Sequence, residues 1–326
     1  MEARVEKYSV VVTGKVADEA MRLLEPYCRV VCTKPYCAED EFAALMAEVA
    51  ADALIVRGVA GKVSKKIMQA SGRLRVIAKH GVGTDNIDVA AATELGIPVL
   101  NTPEANFEAV AEHVLGMILC LAKDLSQQDA RVRAGFWDKL NYRGVELNKK
   151  TLGLVGYGRI GRRLRELVAP LNMKVLVYDP YLPTVFRDTG VTWIDDLAEL
   201  LAASDIVSLH CPLTEKTRGM MGAEQFSQMK PGAFLVNTAR GPIIDEAALV
   251  AALREKKIAG VGMDTFNVEP PANIAEIAAA GKALFTPHLG AATEEAFIRM
   301  GVGAAEGVLA VLRTGEIPAG SCVNRR

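Results

Sequence analysis

The chain has 326 residues, enough for two domains of ordinary size, and half of it is hydrophobic, so a large core is available. Its 38 basic and 39 acidic side chains are interspersed and leave a net charge of −1, which provides no electrostatic footprint for nucleic acid or for an anionic membrane. Residues 1–9 are charged and lack the apolar core of a signal peptide, and the apolar run 114–122 is too short to span a bilayer, so a cytoplasmic protein is expected. Six cysteines do not make a disulfide scaffold at this length. Cys28, Cys32 and Cys37 lie close together but form no C-x-x-C pair, and no nearby His or Cys completes four ligands, so no metal is expected.

In chain order, strands are expected at residues 9–13, 29–33, 53–56, 74–79 and 98–100. Helices at 17–24, 39–50, 64–71 and 88–94 alternate with them. Such alternation implies a parallel sheet covered by helices. After Thr102-Pro103 comes a long apolar helix, 108–124, and a less regular stretch with Gly135, Phe136 and Trp137. A second alternating region starts at Thr151. It has strands at 151–155, 174–178, 206–210, 233–237, 260–264 and 283–286, and helices at 160–171, 197–202, 223–228 and 246–254. The last helix, 294–313, is alanine-rich and is expected to pack back on the first region. The fold class is therefore α/β, with two Rossmann-like or flavodoxin-like domains. A cofactor domain, 103–289, is inserted into a discontinuous substrate domain, 1–102 and 290–326. A cleft between two such domains is where a small substrate would meet a cofactor.

The most informative stretch is Val155-Gly156-Tyr157-Gly158-Arg159-Ile160-Gly161. It lies between a short apolar strand and a helix, and a second strand then ends at Asp179, 18 positions after the last glycine. This is G-x-G-x-x-G inside a strand–helix–strand unit. Gly156 permits the tight turn, Gly158 lets backbone approach a pyrophosphate, and Gly161 lets helix and strand pack closely. Asp179 can accept from ribose hydroxyls and repels a 2′-phosphate, and Pro180 and Tyr181 follow it rather than a base. NAD is the expected cofactor.

Reduction of a carbonyl also needs a proton donor, a cation for a carboxylate and a group that tunes the donor. The four histidines are His80, His113, His210 and His288. His113 lies within a helix and reads as structural, and His210, at a strand end, reads as packing. His80 and His288 follow strands and are placed to line a cleft. Arg240 also follows a strand, where a guanidinium can hold a carboxylate bidentately. Glu269 lies beyond another strand, and a carboxylate beside a histidine raises its pKa and fixes its tautomer. Gly81-Val82-Gly83 is a second glycine turn. It reads either as a nest of N–H groups for a substrate carboxylate or as a plain turn leading to a helix capped by Asp88.

Several motifs together match one family. They are His80-Gly81-Val82-Gly83-Thr84-Asp85-Asn86-Ile87-Asp88, Asn101-Thr102-Pro103, the stretch 153–161, Val236-Asn237-Thr238-Ala239-Arg240-Gly241, Met263-Asp264-Thr265-Phe266 with Glu269-Pro270, and Pro287-His288-Leu289-Gly290. On these residues, nearly the whole chain resembles the D-isomer-specific 2-hydroxyacid dehydrogenases, in particular the phosphoglycerate dehydrogenase branch. The resemblance implies that Arg240 binds the substrate carboxylate, that His288 serves as acid in reduction and base in oxidation, and that Glu269 holds and tunes it. It implies pyrophosphate contacts at Arg159 and Ile160 and a ribose contact at Asp179. It places Cys211, Thr238, Ala239, Asp264, Gly290 and Ala291 around the adenine or nicotinamide halves. Val82 and Gly83 would offer N–H groups to the carboxylate, and Arg57 and Lys79 would face the substrate's tail. His80 stands where the family often has a smaller residue, which leaves the tail open. The resemblance further implies a homodimer joined through residues 108–137. No regulatory domain is expected beyond the last helix. The implied reaction is hydride transfer between NAD(H) and C2 of a small D-2-hydroxy or 2-keto acid. Phosphoglycerate dehydrogenase proper and a glyoxylate/hydroxypyruvate reductase are the enzyme alternatives. The alternative outside enzymes is an NAD-sensing protein like the corepressors that share the scaffold.

Overall fold

The computed structural model describes residues 7–58, 60–137 and 139–325. Most of the charged N-terminal stretch read from the sequence lies outside them. The chain divides into two compact units, Met1–Asn106 with Ala292–Arg326, and Phe107–Ala291. Both are α/β units built on parallel sheets, and the second is inserted into the chain of the first.

Among the described residues, the first unit holds a five-stranded sheet of β1 (Tyr8–Val12), β2 (Cys28–Cys32), β3 (Ala53–Val56), β4 (Val76–Lys79) and β5 (Val99–Leu100). Their order is β2-β1-β3-β4-β5, which is the flavodoxin-like order. β3 and β4 are buried along their whole length, as strands covered by helices on both faces must be. On one face lie α2 (Glu39–Val49), α3 (Lys65–Ala70) and α4 (Val89–Glu94), whose apolar side chains join Leu54, Val56 and Ile77 in one core. On the other face lie α1 (Asp18–Leu24) and the long C-terminal helix (Glu294–Thr314). That helix buries Ala304, Ala305 and Val308 against Val10, Val12 and Ile55, small residues that let it come close to the sheet. Asp88 caps α4 by accepting from the Ala91 N–H at 3.0 Å.

The second unit opens with α5 (Phe107–Lys123) and α6 (Leu125–Arg133). Its sheet contains β6 (Thr151–Val155), β7 (Lys174–Tyr178), β8 (Thr192–Trp193), β9 (Ile206–Leu209), β10 (Phe234–Asn237), β11 (Gly260–Met263) and β12 (Ala283–Phe285). The order is β12-β11-β10-β9-β6-β7-β8, all parallel, so direction along the sheet reverses between β6 and β9. The helices are α7 (Arg159–Val168), α8 (Leu197–Ala203), α9 (Ala223–Gln228), α10 (Glu246–Arg254) and α11 (Ile274–Ala280), and the C-terminal helix completes the series as α12. The helix expected over 160–171 ends as α7 at Val168. Pro170 then falls in a 3₁₀ turn, where its missing N–H interrupts the α pattern. α6 occupies part of the stretch read as irregular. It buries no residue, so it has no apolar stripe to mark it. Among the described residues, no helix is long and apolar enough to cross a membrane.

Candidate active site

In a parallel sheet every strand points the same way. The loops leaving β6, β9, β10, β11 and β12 therefore emerge at one edge, around the reversal between β6 and β9. At the glycine turn Gly156 has φ 93°, and a Cβ there would lie 2.8 Å from the Cys211 nitrogen. A Cβ on Gly161 would lie 2.9 Å from the Gly156 oxygen, so both positions are closed by neighbouring backbone. Gly158 differs. Its φ of −78° suits any residue, no side chain caps α7, and nothing lies within 4 Å of where a Cβ would stand. That open space at a helix N-terminus fits a dinucleotide pyrophosphate. The residues after Gly158 begin α7, with Arg159 exposed and Ile160 half-buried.

Asp179 is built into this turn. Its Oδ2 accepts from the Tyr157 N–H at 2.9 Å, and its Oδ1 accepts from the N–H groups of Tyr181 and Leu182 at 3.1 and 3.2 Å. Tyr157 is itself buried, and its hydroxyl donates to Asp188 Oδ2 at 2.9 Å, while Arg162 holds Oδ1 at 2.6 Å. The half-buried Cys211 thiol is pushed up to about 11 by burial, with Asp179 adding to the effect, so it stays neutral. Thr238 Oγ1 is buried without a partner among the described residues, the kind of orphaned group that a bound cofactor can satisfy.

Asn237, fully buried at the end of β10, shapes the next loop. Its Oδ1 accepts from the Ala239 N–H at 3.0 Å and its Nδ2 donates to the Arg240 carbonyl at 2.9 Å. Arg240 is half-buried beside it, with Nη1 donating to the Ala239 carbonyl at 2.6 Å. His288 stands after β12 at φ 56°, and its Nδ1 is 2.8 Å from Glu269 Oε2. Glu269 Oε1 in turn accepts from the Phe266 N–H at 3.1 Å. An ionised carboxylate only accepts, so Nδ1 carries a hydrogen and Nε2 is the atom left to exchange a proton. The hydrogen bond to Glu269 raises the His288 pKa. Burial opposes this, the charges of Glu269 and Asp264 reinforce it, and Arg240 works against it. Burial pushes the Glu269 carboxyl up, but the His288 hydrogen bond and charge outweigh it and the net direction is down. The His288 side chain remains 52% exposed and can meet a substrate. Asp264 is buried after β11, where Oδ1 accepts from Thr286 Oγ1 at 2.6 Å and from the Leu289 N–H at 2.7 Å, and Oδ2 from the Gly290 N–H at 2.9 Å. Gly290 is buried and Ala291 half-buried just beyond. His210, by contrast, has its Nδ1 buried and its Nε2 2.9 Å from Ser208 Oγ, and burial pushes its pKa down to about 4.

In the first unit the candidates lie at the carboxyl ends of the adjacent strands β3 and β4. Lys79 is buried, and its Nζ donates to Asn86 Oδ1 at 2.6 Å. Asn86 Nδ2 donates to the Arg57 carbonyl at 3.1 Å. The Arg57 guanidinium lies 5.0 Å above the Phe297 ring and donates to the Lys15 carbonyl at 2.6 Å. His80 packs against the same ring with centroids 5.2 Å apart. Burial, then the Arg57 charge, push its pKa down to about 4, so His80 is a neutral imidazole near neutral pH and adds no third cation. Gly81 turns the chain at φ 128°, leaving Val82 exposed and Gly83 half-buried.

Two residues that shape these loops are not singled out by the sequence. Asn237 carries a signal, since an Asn at a strand end builds turns by bonding backbone two residues on. Thr286 carries none, because its partners come together only in the folded unit.

The family model for the "D-isomer specific 2-hydroxyacid dehydrogenase, NAD binding domain" matches residues 115–290. The chain is 40% identical over 310 residues to a D-3-phosphoglycerate dehydrogenase of Methanocaldococcus jannaschii, covering 94% of this chain and 58% of that protein. It thus spans little more than half the length of that relative. A hydroxypyruvate reductase of Thermotoga maritima is 39% identical over 298 residues, covering 91% of this chain and 95% of the relative. The solved structure of an NAD+-bound 3-phosphoglycerate dehydrogenase of Entamoeba histolytica superposes with a TM-score of 0.81 at 30% identity, covering 98% of this chain and 99% of the other. The chain therefore belongs to the D-isomer-specific 2-hydroxyacid dehydrogenase family, and its second unit carries that family's NAD-binding domain.

Proposed function

We propose that the protein is an NAD-dependent oxidoreductase that transfers a hydride between NAD(H) and C2 of a small D-2-hydroxy or 2-keto acid. The observation that carries this is the His288–Glu269 pair, held at 2.8 Å with Nε2 left for proton exchange. Bound NAD(H) supplies hydride donor and acceptor chemistry at C4 of its nicotinamide. In reduction His288 Nε2 gives a proton to the keto oxygen, and in oxidation it takes one from the hydroxyl. Glu269 keeps the imidazole oriented and stabilises its charged form. Arg240 binds the substrate carboxylate, and fixing C2 in place accounts for a large part of the barrier lowering. The turn and loops of the second unit (Gly156, Gly158, Arg159, Ile160, Gly161, Asp179, Cys211, Thr238, Ala239, Asp264, Gly290 and Ala291) hold the cofactor. The assignment of Arg57, Lys79, His80, Val82 and Gly83 to substrate binding is part of the same proposal and rests on the family resemblance.

We further propose a cytoplasmic homodimer formed through residues 108–137. Leu125, Val132, Phe136 and Trp137 support it, since all four are exposed apolar side chains on or beside a helix that buries nothing in its own unit.

The test is His288→Ala. NADH binding, read by its fluorescence, persists while kcat falls by roughly a hundredfold or more, the range of general acid–base catalysis. Unchanged turnover in the variant would remove His288 from the reaction.

A further inference from the structure

Asp264 does more than line a loop. Its own carbonyl accepts from the His288 N–H at 2.8 Å, and its carboxylate accepts from the next two N–H groups, Leu289 at 2.7 Å and Gly290 at 2.9 Å. These three bonds grip consecutive residues. They hold His288 at φ 56°, a conformation that a non-glycine residue keeps only when its surroundings over-determine it. Gly290 permits the grip, since a Cβ there would stand 3.0 Å from Asp264 Oδ2.

The direction of the remaining hydrogen bonds follows from proton counting. Burial pushes the Asp264 carboxyl up, but bonds from His113, Thr286 and the two backbone N–H groups bring it down to about 2, so it is ionised. An ionised carboxylate only accepts, and Thr286 has one hydroxyl proton. That proton goes to Asp264 Oδ1, 2.6 Å away. The Thr286 oxygen is then an acceptor, and His113 Nε2, 3.0 Å from it, carries a hydrogen and donates. His113 Nε2 also lies 3.6 Å from Asp264 Oδ1. The ring projects from α5, whose Val114, Met117 and Ile118 are packed into the core of the unit.

We propose that His113 and Thr286 are positioning residues for His288, acting through Asp264. They lock the carboxylate so that its grip places the imidazole against Glu269. The inference rests on the reading of His288 as the proton carrier. The charged groups acting on His288 are Glu269, Asp264 and Arg240, and the substitutions below leave all three in the chain.

Thr286→Val removes one hydroxyl at nearly constant volume. His113→Leu removes the ring donor, and His113→Gln restores an amide N–H the same number of bonds from the backbone as Nε2. The readouts are the His288 pKa, followed by NMR in the ligand-free protein, and kcat. In Thr286→Val and His113→Leu the His288 pKa falls toward the ordinary histidine value and kcat drops roughly tenfold or more, within the cost of about 1 Å of misplacement. In His113→Gln both stay close to wild type. A wild-type His288 pKa and kcat in either Val or Leu variant overturns the proposal, and so does failure of Gln to restore them. The two single variants are independent, so one that fails to fold leaves the other decisive. Full turnover in His288→Ala would instead overturn the reading of His288 as the proton carrier. Loss of turnover there, together with wild-type behaviour of the Val and Leu variants, would overturn the relay alone.

Discussion

The protonation state of His288 depends on one neighbour above others. Glu269→Gln keeps an oxygen that can accept from Nδ1 but removes the charge, so the His288 pKa falls toward the ordinary histidine value. Reduction needs the protonated imidazole, so its rate holds at low pH and is lost as pH rises through the folded-state pKa. In the wild type the hydrogen bond to Glu269 displaces that limb upward from the ordinary histidine value, and in the variant it moves to lower pH. A pH profile of kcat for reduction checks this, and an unmoved limb would separate Glu269 from His288. These candidate residues are legible in the sequence, because Arg240, Glu269 and His288 lie past strands, where α/β units place functional groups. What is not legible is who touches whom. That Glu269 meets His288 and that Asp264 grips 288–290 depends on β11 and β12 lying side by side.

The glycine turn at 156–161 combines positions closed by neighbouring backbone with one that is open. Each of its glycines can be asked whether it serves the fold or the ligand. Gly156→Ala puts a Cβ against Cys211 backbone in a left-handed conformation and costs about 3 kcal/mol or more, combining backbone strain with overpacking. Gly158→Ala meets nothing within 4 Å at an ordinary φ. The variant therefore unfolds at the wild-type temperature or slightly above, while NADH affinity falls roughly tenfold, about 1.4 kcal/mol. Calorimetry and fluorescence titration read the two quantities separately. Wild-type NADH affinity in Gly158→Ala would mean that the open space is not where the pyrophosphate sits. The first and third glycines, by this reading, belong to the fold. The motif's spacing already proposes this division of roles, and the structure adds what each Cβ would strike.

Across the whole molecule, alternating apolar and helical segments suffice to read two parallel sheets, because strands buried on both faces leave continuous apolar runs. The elements that escape include α11, an apolar helix of only seven residues, and two without such a pattern. β8 has two residues, and α6 is polar around most of its circumference. The proposed homodimer gives α6 and the exposed Trp137 their place. Trp137→Asp, which touches no core, is expected to shift sedimentation toward monomer with little change in the stability of the unit. A wild-type dimer in that variant would locate the interface elsewhere. The proposed reaction is tested by NADH oxidation, followed by absorbance, against glyoxylate, hydroxypyruvate, phosphohydroxypyruvate and longer 2-keto acids, with chiral analysis of the product. Turnover of at least one of them to the D-2-hydroxy acid is the predicted result. No turnover with any of them, or an L product, would rule out a D-2-hydroxyacid dehydrogenase acting on these acids.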